Sequence, residues 1–412
     1  MVLIAGPWTL QYYQGQWAEP AIRVGILHSL SGTMAFSERS VVDATILAVE
    51  ELNEGGGLLG RKVEPVIADG KSDWPTFSRE AARLIDTEKV SVLFGCWTSA
   101  SRKTILPILE SRNHLLFYPV QYEGLEQSPN IVYTGASPNQ QIIPAVKWAF
   151  DHLGRRFFLV GSDYVFPRTA NAIIRAQASA LQAEIVGEEY AILGSTNMTD
   201  IVGRIAAVRP SVILNTLNGD SNLAFFRALR AAGIRPEQIP TISFSIGENE
   251  IQSMDPPSLA GDYTAWNYFQ SIPGEENTRF VARFRKRFGD QRVLSDPMES
   301  AYTGVHIWAR AAEEAKSDQP SRVRIFLPKQ HLIAPQGNVF MDRRNQHAWK
   351  TARIGKILPS GQMEIVWTSE RPIRPVPFPY LRPPAQWAQF LSALYRSWGN
   401  QWANPGKAAA HD

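Results

Sequence analysis

One feature constrains this chain more than any other: short β-rich runs and helical patterns alternate from about Ala21 onward. AIRVGIL reads as a strand that ends in the polar loop HSLSGTMAFSER. SVVDATILAVEELNEGG then places Val42, Ile46, Val49 and Leu52 at helical spacing and closes on glycines, a stop signal. KVEPVIAD predicts a strand, WPTFSREAARLIDTE a helix, VSVLFGC a buried strand, SRKTILPILESR a helix and HLLFYPV a strand. The pattern then repeats, from NQQIIPAVKWAFDHLG and RRFFLVGSD through to PTISFSIGE. A parallel partner strand is reached only by a crossover long enough to hold a helix, so this alternation implies βαβ units and parallel sheets. The chain reads as two α/β units of similar size.

The remainder is less regular. NTRFVARFRKRFG and PMESAYTGVHIWARAAEEA predict helices, and Asn338 to Thr368 shows strand-like alternation with a turn at PSGQ. RPIRPVPFPYLRPP is proline-rich and extended. In AQWAQFLSALYRSWGNQW, the residues Trp387, Phe390, Leu391, Leu394, Tyr395 and Trp398 share one helical face. That face either docks on its own domain or serves a partner or membrane.

Composition removes several classes. At 44% hydrophobic and 20% charged residues the chain is globular rather than disordered. A net charge of +3 with interspersed signs offers no nucleic-acid track. No run approaches the roughly 18 apolar residues of a membrane span. The single cysteine, Cys96, excludes an internal disulfide and reads as a small buried hydrophobe. The opening MVLIAGPWTLQYYQGQWAEP lacks a basic start and is interrupted by Gly6 and Pro7, so it is a poor signal peptide. The expectation is either a cytoplasmic protein or a longer leader already removed.

Ligands of open parallel sheets bind beyond the carboxyl ends of the strands, where helix N-termini converge. Here those ends read HSLSGTMA, GCWTSASRK, YPVQYEG, GSDYVFPRT, NTLNGDSN and SFSIGENE. They are rich in hydroxyls and amides. Only SRK and PRT bring cations, and the nearby carboxylates are Glu123, Asp163 and Glu248. Ser99 and Ser101 have no histidine near them in sequence, and His28 lacks a GxSxG elbow. The seven histidines show no metal-ligand spacing, and no phosphate-binding glycine motif follows the first strand. These absences imply no cofactor and no catalysis, and favour a neutral or mildly polar small ligand that is held and released. Asp73 in KSDWP and Asp163 before PRTAN read as helix-start residues.

Taken together, GILHSLSGTMA, DWPTF, FGCWTSASRK, YPVQYEGLEQSPNIVYTGASPNQQ, GSDYVFPRTAN, NTLNGDSN, TAWNYFQ and SDPMESAY resemble the urea-binding proteins of urea ABC transporters. The wider resemblance is to the short-chain amide sensor of amidase operons and to the leucine/isoleucine/valine-binding family of type I periplasmic binding proteins. It covers residues 22 to about 375. It implies an α/β protein of two lobes, each a parallel sheet flanked by helices, joined by three hinge crossovers. Lobe one would hold 22–141 plus 273–335, and lobe two 142–272 plus 336–370. Residues 1–21 would be an N-terminal extension, and 371–412 the proline-rich segment and amphipathic helix. The implied function is binding of urea or a close amide, with delivery to the membrane permease of an ABC transporter from the periplasmic or extracellular side. The same module as a sensor would act on a signalling partner instead. An amide hydrolase is a third reading, without a credible nucleophile–base pair.

A flat neutral guest with four N–H donors and one carbonyl needs acceptors at its nitrogens, donors at its oxygen and rings on its faces. Glu248 and Glu123 are the candidate acceptors, and in amino-acid-binding relatives the residue matching Glu248 takes an ammonium. Thr98 and Ser99, with the amides of the helix they open, are candidate donors. Trp97, Tyr118 and Tyr164 are candidate walls, and Gln121, Tyr122 and Asn218 complete the expected site. Each has a plainer alternative. Ser99 caps its helix, alone or besides meeting ligand; Tyr118 is core; Glu248 pairs with a lysine or arginine; Gln121 and Tyr122 are hinge-side structure; Asn218 and Asp220 are turn residues.

Overall fold

The computed structural model describes residues 19–406, so the expected N-terminal extension lies almost wholly outside the described residues. The first sheet contains β1 (Ile22–His28), β2 (Val63–Asp69), β3 (Leu93–Gly95), β4 (Leu116–Tyr118) and β5 (Ile131–Tyr133), all parallel, in the order β2-β1-β3-β4-β5. The second begins with β6 (Arg156–Ser162), β7 (Glu184–Ala191), β8 (Val212–Thr216), β9 (Thr241–Ser243) and β10 (Tyr263–Trp266). Its parallel part runs β7-β6-β8-β9-β10, the same winding as the first sheet. In each sheet the strand order reverses beside the first strand. A crevice opens there because consecutive crossovers leave to opposite faces. The two crevices are bordered by the loops after β1 and β3 and by those after β6 and β8.

Two sets of antiparallel strands complete the fold. β11 (His331–Ala334), β12 (Gly337–Met341) and β13 (Ala348–Trp349) form a separate small sheet, while β14 (Arg353–Ile357) and β15 (Met363–Thr368) extend the second sheet beyond β10. This corrects the expected boundary at 335/336. Ala334, Val339, Met341 and Ala348 pack into one core with Ile22, Val24 and Trp308, so residues 337–349 belong with lobe one. The apolar sides of these short strands are covered only by lobe-one residues, which decides their place.

The chain crosses between lobes three times: after β5, after β10 and after β13. Asn267, in the second crossing, donates from Nδ2 to Gln140 O and to Thr351 O, both at 3.0 Å. One amide therefore ties all three crossings together. Lys350 adds a second tie, donating to Thr134 O at 2.9 Å and to Ser300 Oγ at 2.6 Å.

The C-terminal helix Pro384–Ser397 lies on its own protein. Trp387, Leu391 and Trp398 enter the core of lobe two. The proline-rich segment before it reaches lobe one, where Leu125 N–H donates to Pro377 O at 2.8 Å. The chain after it returns to the cleft edge: Val165 N–H donates to Trp402 O at 2.9 Å, and Lys103 of lobe one sits 5.0 Å from the Trp402 ring centre. Among the described residues no helix is long and apolar enough to cross a membrane.

Asn267→Ala leaves the Gln140 and Thr351 carbonyls without their donor. The expected loss is about 1–3 kcal/mol of unfolding free energy, read from guanidinium denaturation. An unchanged midpoint would show that the crossings are held by other contacts.

Candidate functional site

The turn after β3 sets the site. Gly95 has φ +157, and a Cβ there would lie 2.1 Å from Leu27 O, so only glycine lets this strand end pass β1. Cys96 follows at φ +63, buried, its N–H donating to Leu27 O at 2.9 Å. This reversal throws Trp97 out toward lobe two. There Trp97 Nε1 donates to Asn218 Oδ1 at 3.2 Å. Trp97 follows β3 and Asn218 follows β8, so equivalent corners of the two crevices touch. Beside them the Thr33 hydroxyl donates to Asp220. At the hinge side Gln121 Nε2 donates to Phe244 O at 2.7 Å, while Gln141 Nε2 donates to the same carbonyl at 3.1 Å and to Ala265 O at 2.7 Å. The carboxyl edges of the two sheets therefore face each other and are in contact.

The helix Ser99–Ser111 points its N-terminus into this contact. Its cap is Thr98, whose hydroxyl accepts from Ser101 N–H at 3.1 Å; Ser99, expected as the cap, is the first helical residue. The correction is one residue and has a simple reason. Thr98 keeps extended angles, φ −73 and ψ 146, whereas Ser99 is already helical. The Ser99 hydroxyl donates to Glu123 and accepts from Arg102 Nη1 at 3.1 Å. What these two residues still present are first-turn amides, which have no carbonyl partner within a helix.

Arg102 is fully buried between two rings, 4.6 Å from the centres of both Tyr118 and Tyr122. Its Nε donates to Glu126 at 2.7 Å and its Nη2 lies 3.4 Å from Glu123. Lys103 Nζ donates to the other Glu126 oxygen at 2.7 Å. Burial alone would raise the Glu126 carboxyl, but Arg102 and Lys103 hold it well below the usual carboxylate range. Two cations and two carboxylates thus close on themselves, leaving no free charge beneath the site.

The ring residues divide. Tyr118 donates to Trp97 O at 2.5 Å, which fixes the corner turn, and burial pushes its hydroxyl well above the usual range. Tyr164, from lobe two, is buried in a core that also takes in Ala100 and Leu125 of lobe one, and burial raises its hydroxyl as well. Tyr122 lies apart. It stacks on Tyr133 at 5.0 Å and its hydroxyl meets His347 Nε2 at 2.5 Å and donates to Glu126 O at 3.0 Å. Asp163 caps nothing. It accepts from Arg168 Nε at 2.7 Å and Asn404 Nδ2 at 2.5 Å. Asp73 does cap its helix, accepting Thr76 N–H at 2.9 Å.

Glu248 begins the short helix Glu248–Gln252 beside the second crossing. Its Oε1 accepts Gln270 N–H at 2.7 Å and its Oε2 has no partner. Among the described residues no lysine or arginine meets it, against the expected alternative of an ion pair. Burial, with no cation to offset it, pushes its carboxyl up to about 8 and that of neighbouring Glu250 up to about 7. The structure thus joins Trp97, Asn218, Tyr118, Tyr164, Thr98 and Ser99 at one corner, and sets Gln121, Tyr122 and Glu248 along the hinge side.

Sequence reasoning missed Arg102 and Glu38. Arg102 was read as a cation at a helix start, free to point elsewhere. Glu38 sits in the first turn of the helix Ala35–Glu54, behind the polar loop after β1, and is 1% exposed. The available signal was its position: an acidic residue in the first turn of a helix opening at a strand end.

Comparison with known proteins gives consistent results. The family described as a periplasmic binding protein domain matches residues 22–384. The Leu/Ile/Val-binding protein homolog 6 of Brucella melitensis biotype 1 is 25% identical over 339 residues, 79% of this chain and 85% of that one. A limonene hydroxylase of Geobacillus stearothermophilus is 34% identical over 114 residues, 28% of this chain, and the chain spans 21% of that protein's length. A solute-binding protein of an ABC transporter from R. palustris, solved with 4-hydroxybenzoate, matches with TM-score 0.75 at 21% identity, covering 85% of this chain and 97% of that one. The branched-chain amino acid transporter substrate-binding protein of Streptococcus pneumoniae, solved with isoleucine, matches with TM-score 0.74 at 19% identity, covering 86% and 100%. At these identities the two structures speak for the fold alone.

Two outcomes are expected. Arg102→Met leaves the buried Glu123 and Glu126 with Lys103 as their one remaining cation among the described residues and lowers stability by about 3–5 kcal/mol, measured by guanidinium unfolding. Glu248 and Glu250 keep protons in the folded chain that the unfolded chain releases above their ordinary 4.5. Their stabilisation is complete below that value and is lost as pH rises through 7 to 8. The thermal midpoint should therefore fall between about pH 5 and 8, and Glu248→Gln should flatten the slope. A slope unaltered by that change would refute the assignment.

Proposed function

This chain belongs to the periplasmic binding protein family, and from that premise we propose that it is a non-catalytic solute-binding protein for urea or a short-chain amide. It would hold its guest between the lobes and deliver it to the permease of an ABC transporter, on the periplasmic or extracellular side of the membrane. The observation that carries the choice of guest is the charge economy of the cleft. Arg102 and Lys103, the cations at the start of the helix Ser99–Ser111, are bound to Glu123 and Glu126 and so are not free to meet an anionic guest. Unpartnered carboxyl oxygens of Glu38, Glu248 and Glu250 favour a guest with N–H donors. Trp97, Tyr118 and Tyr164 are proposed as its walls, and the first-turn amides after Thr98 as donors to its carbonyl.

Against hydrolysis stands the lack, among the described residues, of a histidine at the Ser99 hydroxyl, which donates to Glu123, itself held by Arg102, and accepts from Arg102. The sensor reading has one observation in its favour. The C-terminal segment touches Leu125 and Lys103 of lobe one and Val165 of lobe two, so lobe motion alters its contacts.

Calorimetry with urea, acetamide, formamide, leucine and 4-hydroxybenzoate tests the reading. Saturable binding of urea or an amide, with the guest recovered unchanged, is the expected result. Binding confined to leucine or to the benzoate would reject it.

A further inference from the structure

The loop after β1 and the helix it opens hold a polar pair that the fold does not satisfy. Glu38 Oε2 accepts Ser29 N–H at 2.8 Å and pairs with His28 Nδ1 at 2.9 Å. Among the described residues its other oxygen, Oε1, has no partner, and neither has His28 Nε2. Both side chains are buried, His28 at 0% and Glu38 at 1% exposure. A buried carboxyl oxygen without a donor is unfavourable, and native proteins leave few such atoms without a reason.

The position of Glu38 supplies the reason. It stands in the first turn of the helix Ala35–Glu54, which packs against the short helix Glu248–Gln252 of lobe two. Thr33, in the loop after β1, donates to Asp220 across the cleft. Glu38 therefore stands at the switch point of the first sheet, facing the corner where Trp97 and Asn218 join the lobes. The nearby cations cannot serve it, because Arg102 and Lys103 are held by Glu123 and Glu126.

We propose that Glu38 is a ligand-binding residue whose Oε1 accepts a hydrogen bond from an N–H of the guest, so that the site selects N–H donors and rejects carboxylates. The inference rests on the reading of the cleft as an amide or urea site, and deepens it by assigning the acceptor. Ser29 N–H and His28 Nδ1 hold one oxygen, so the other is turned to the guest. A carboxylate guest would bring a second acceptor against Glu38 with no cation between them.

The test is calorimetry on the full chain with urea, acetamide, ethylammonium and 4-hydroxybenzoate. It compares the unmutated protein with Glu38→Gln and Glu38→Asp, and checks each variant for a cooperative thermal transition. The unmutated chain should bind urea or acetamide and ignore the benzoate. Glu38→Gln should weaken that binding tenfold or more, and Glu38→Asp, which withdraws the oxygen by one methylene, should do the same. Amide binding equal in all three proteins overturns the role of Glu38 and leaves the amide reading standing. Binding of ethylammonium alone, lost in Glu38→Gln, supports the role of Glu38 and removes the amide reading. Binding of the benzoate alone, or of none of the four, overturns both. Should neither variant fold, a crystal of the unmutated chain with acetamide decides. The amide nitrogen stands within about 3.2 Å of Glu38 Oε1, or the proposal fails.

Discussion

One side-chain amide holds the geometry on which everything else rests. Asn267 sits in the middle crossing and donates to a carbonyl in each of the other two. The crossings have no strand ladder of their own, the first passing through a 3-10 turn at Pro138–Gln140, so their buried carbonyls need donors from side chains. A shared donor makes them one unit, and the lobes can then turn about a common line rather than drift on three separate tethers. Backbone N–H groups of Asn267 and Tyr268 both donate to Asp296, which fixes the same crossing to the helix Asp296–Ala315. The result is that two sheets of identical winding present their carboxyl edges to each other, and that their switch points coincide.

That coincidence explains the charge pattern. A cleft closed between two sheets is dry, and charges within it must be matched internally. Arg102 is matched by Glu123 and Glu126 and flattened between two tyrosine rings, an arrangement a lysine could not reproduce because it lacks the planar fork. Glu248 and Glu250 take the other route. With no cation near, burial keeps them protonated near neutral pH, and they become groups that can donate as well as accept. These two groups thereby make the hinge side polar with little charge of their own, in keeping with the uncharged guest proposed above.

Much of this was legible from residue pattern. The alternation of strands and helices marks two parallel sheets because β1, β2 and β6 are long, apolar and bounded by polar loops. The strands Ile131–Tyr133 and Tyr263–Trp266 were not legible as strands, since so few residues carry no period. Two strands of the small sheet, β12 and β13, were assigned to the wrong lobe for a related reason: periodicity says which face is apolar, not which core covers it. At the site, the loops were found but not the pairings. Ser99 meets Glu123 across a gap of twenty-four positions, and Trp97 meets Asn218 across the cleft, contacts fixed by tertiary packing alone. Glu38 escaped notice because a first-turn acidic residue is ordinarily explained by the helix dipole.

The direct bonds between lobes bear on how a guest would act. Trp97 to Asn218 and Thr33 to Asp220 join the lobes without an intermediary, and Trp402 lies against Lys103 at the cleft edge. Closure is therefore favoured in part by contacts the protein makes with itself. A guest shifts the balance only by what it gains in the closed form over the open one. A molecule touching a single lobe gains nothing and cannot close it, however well it fits. In the site proposed above, selectivity would then reside in groups that reach across: a ring of Tyr164 from one side, the amides after Thr98 and an acceptor from the other. The fold fixes where those groups stand, and the hydrogen-bonding pattern of the guest decides whether both sides are satisfied at once.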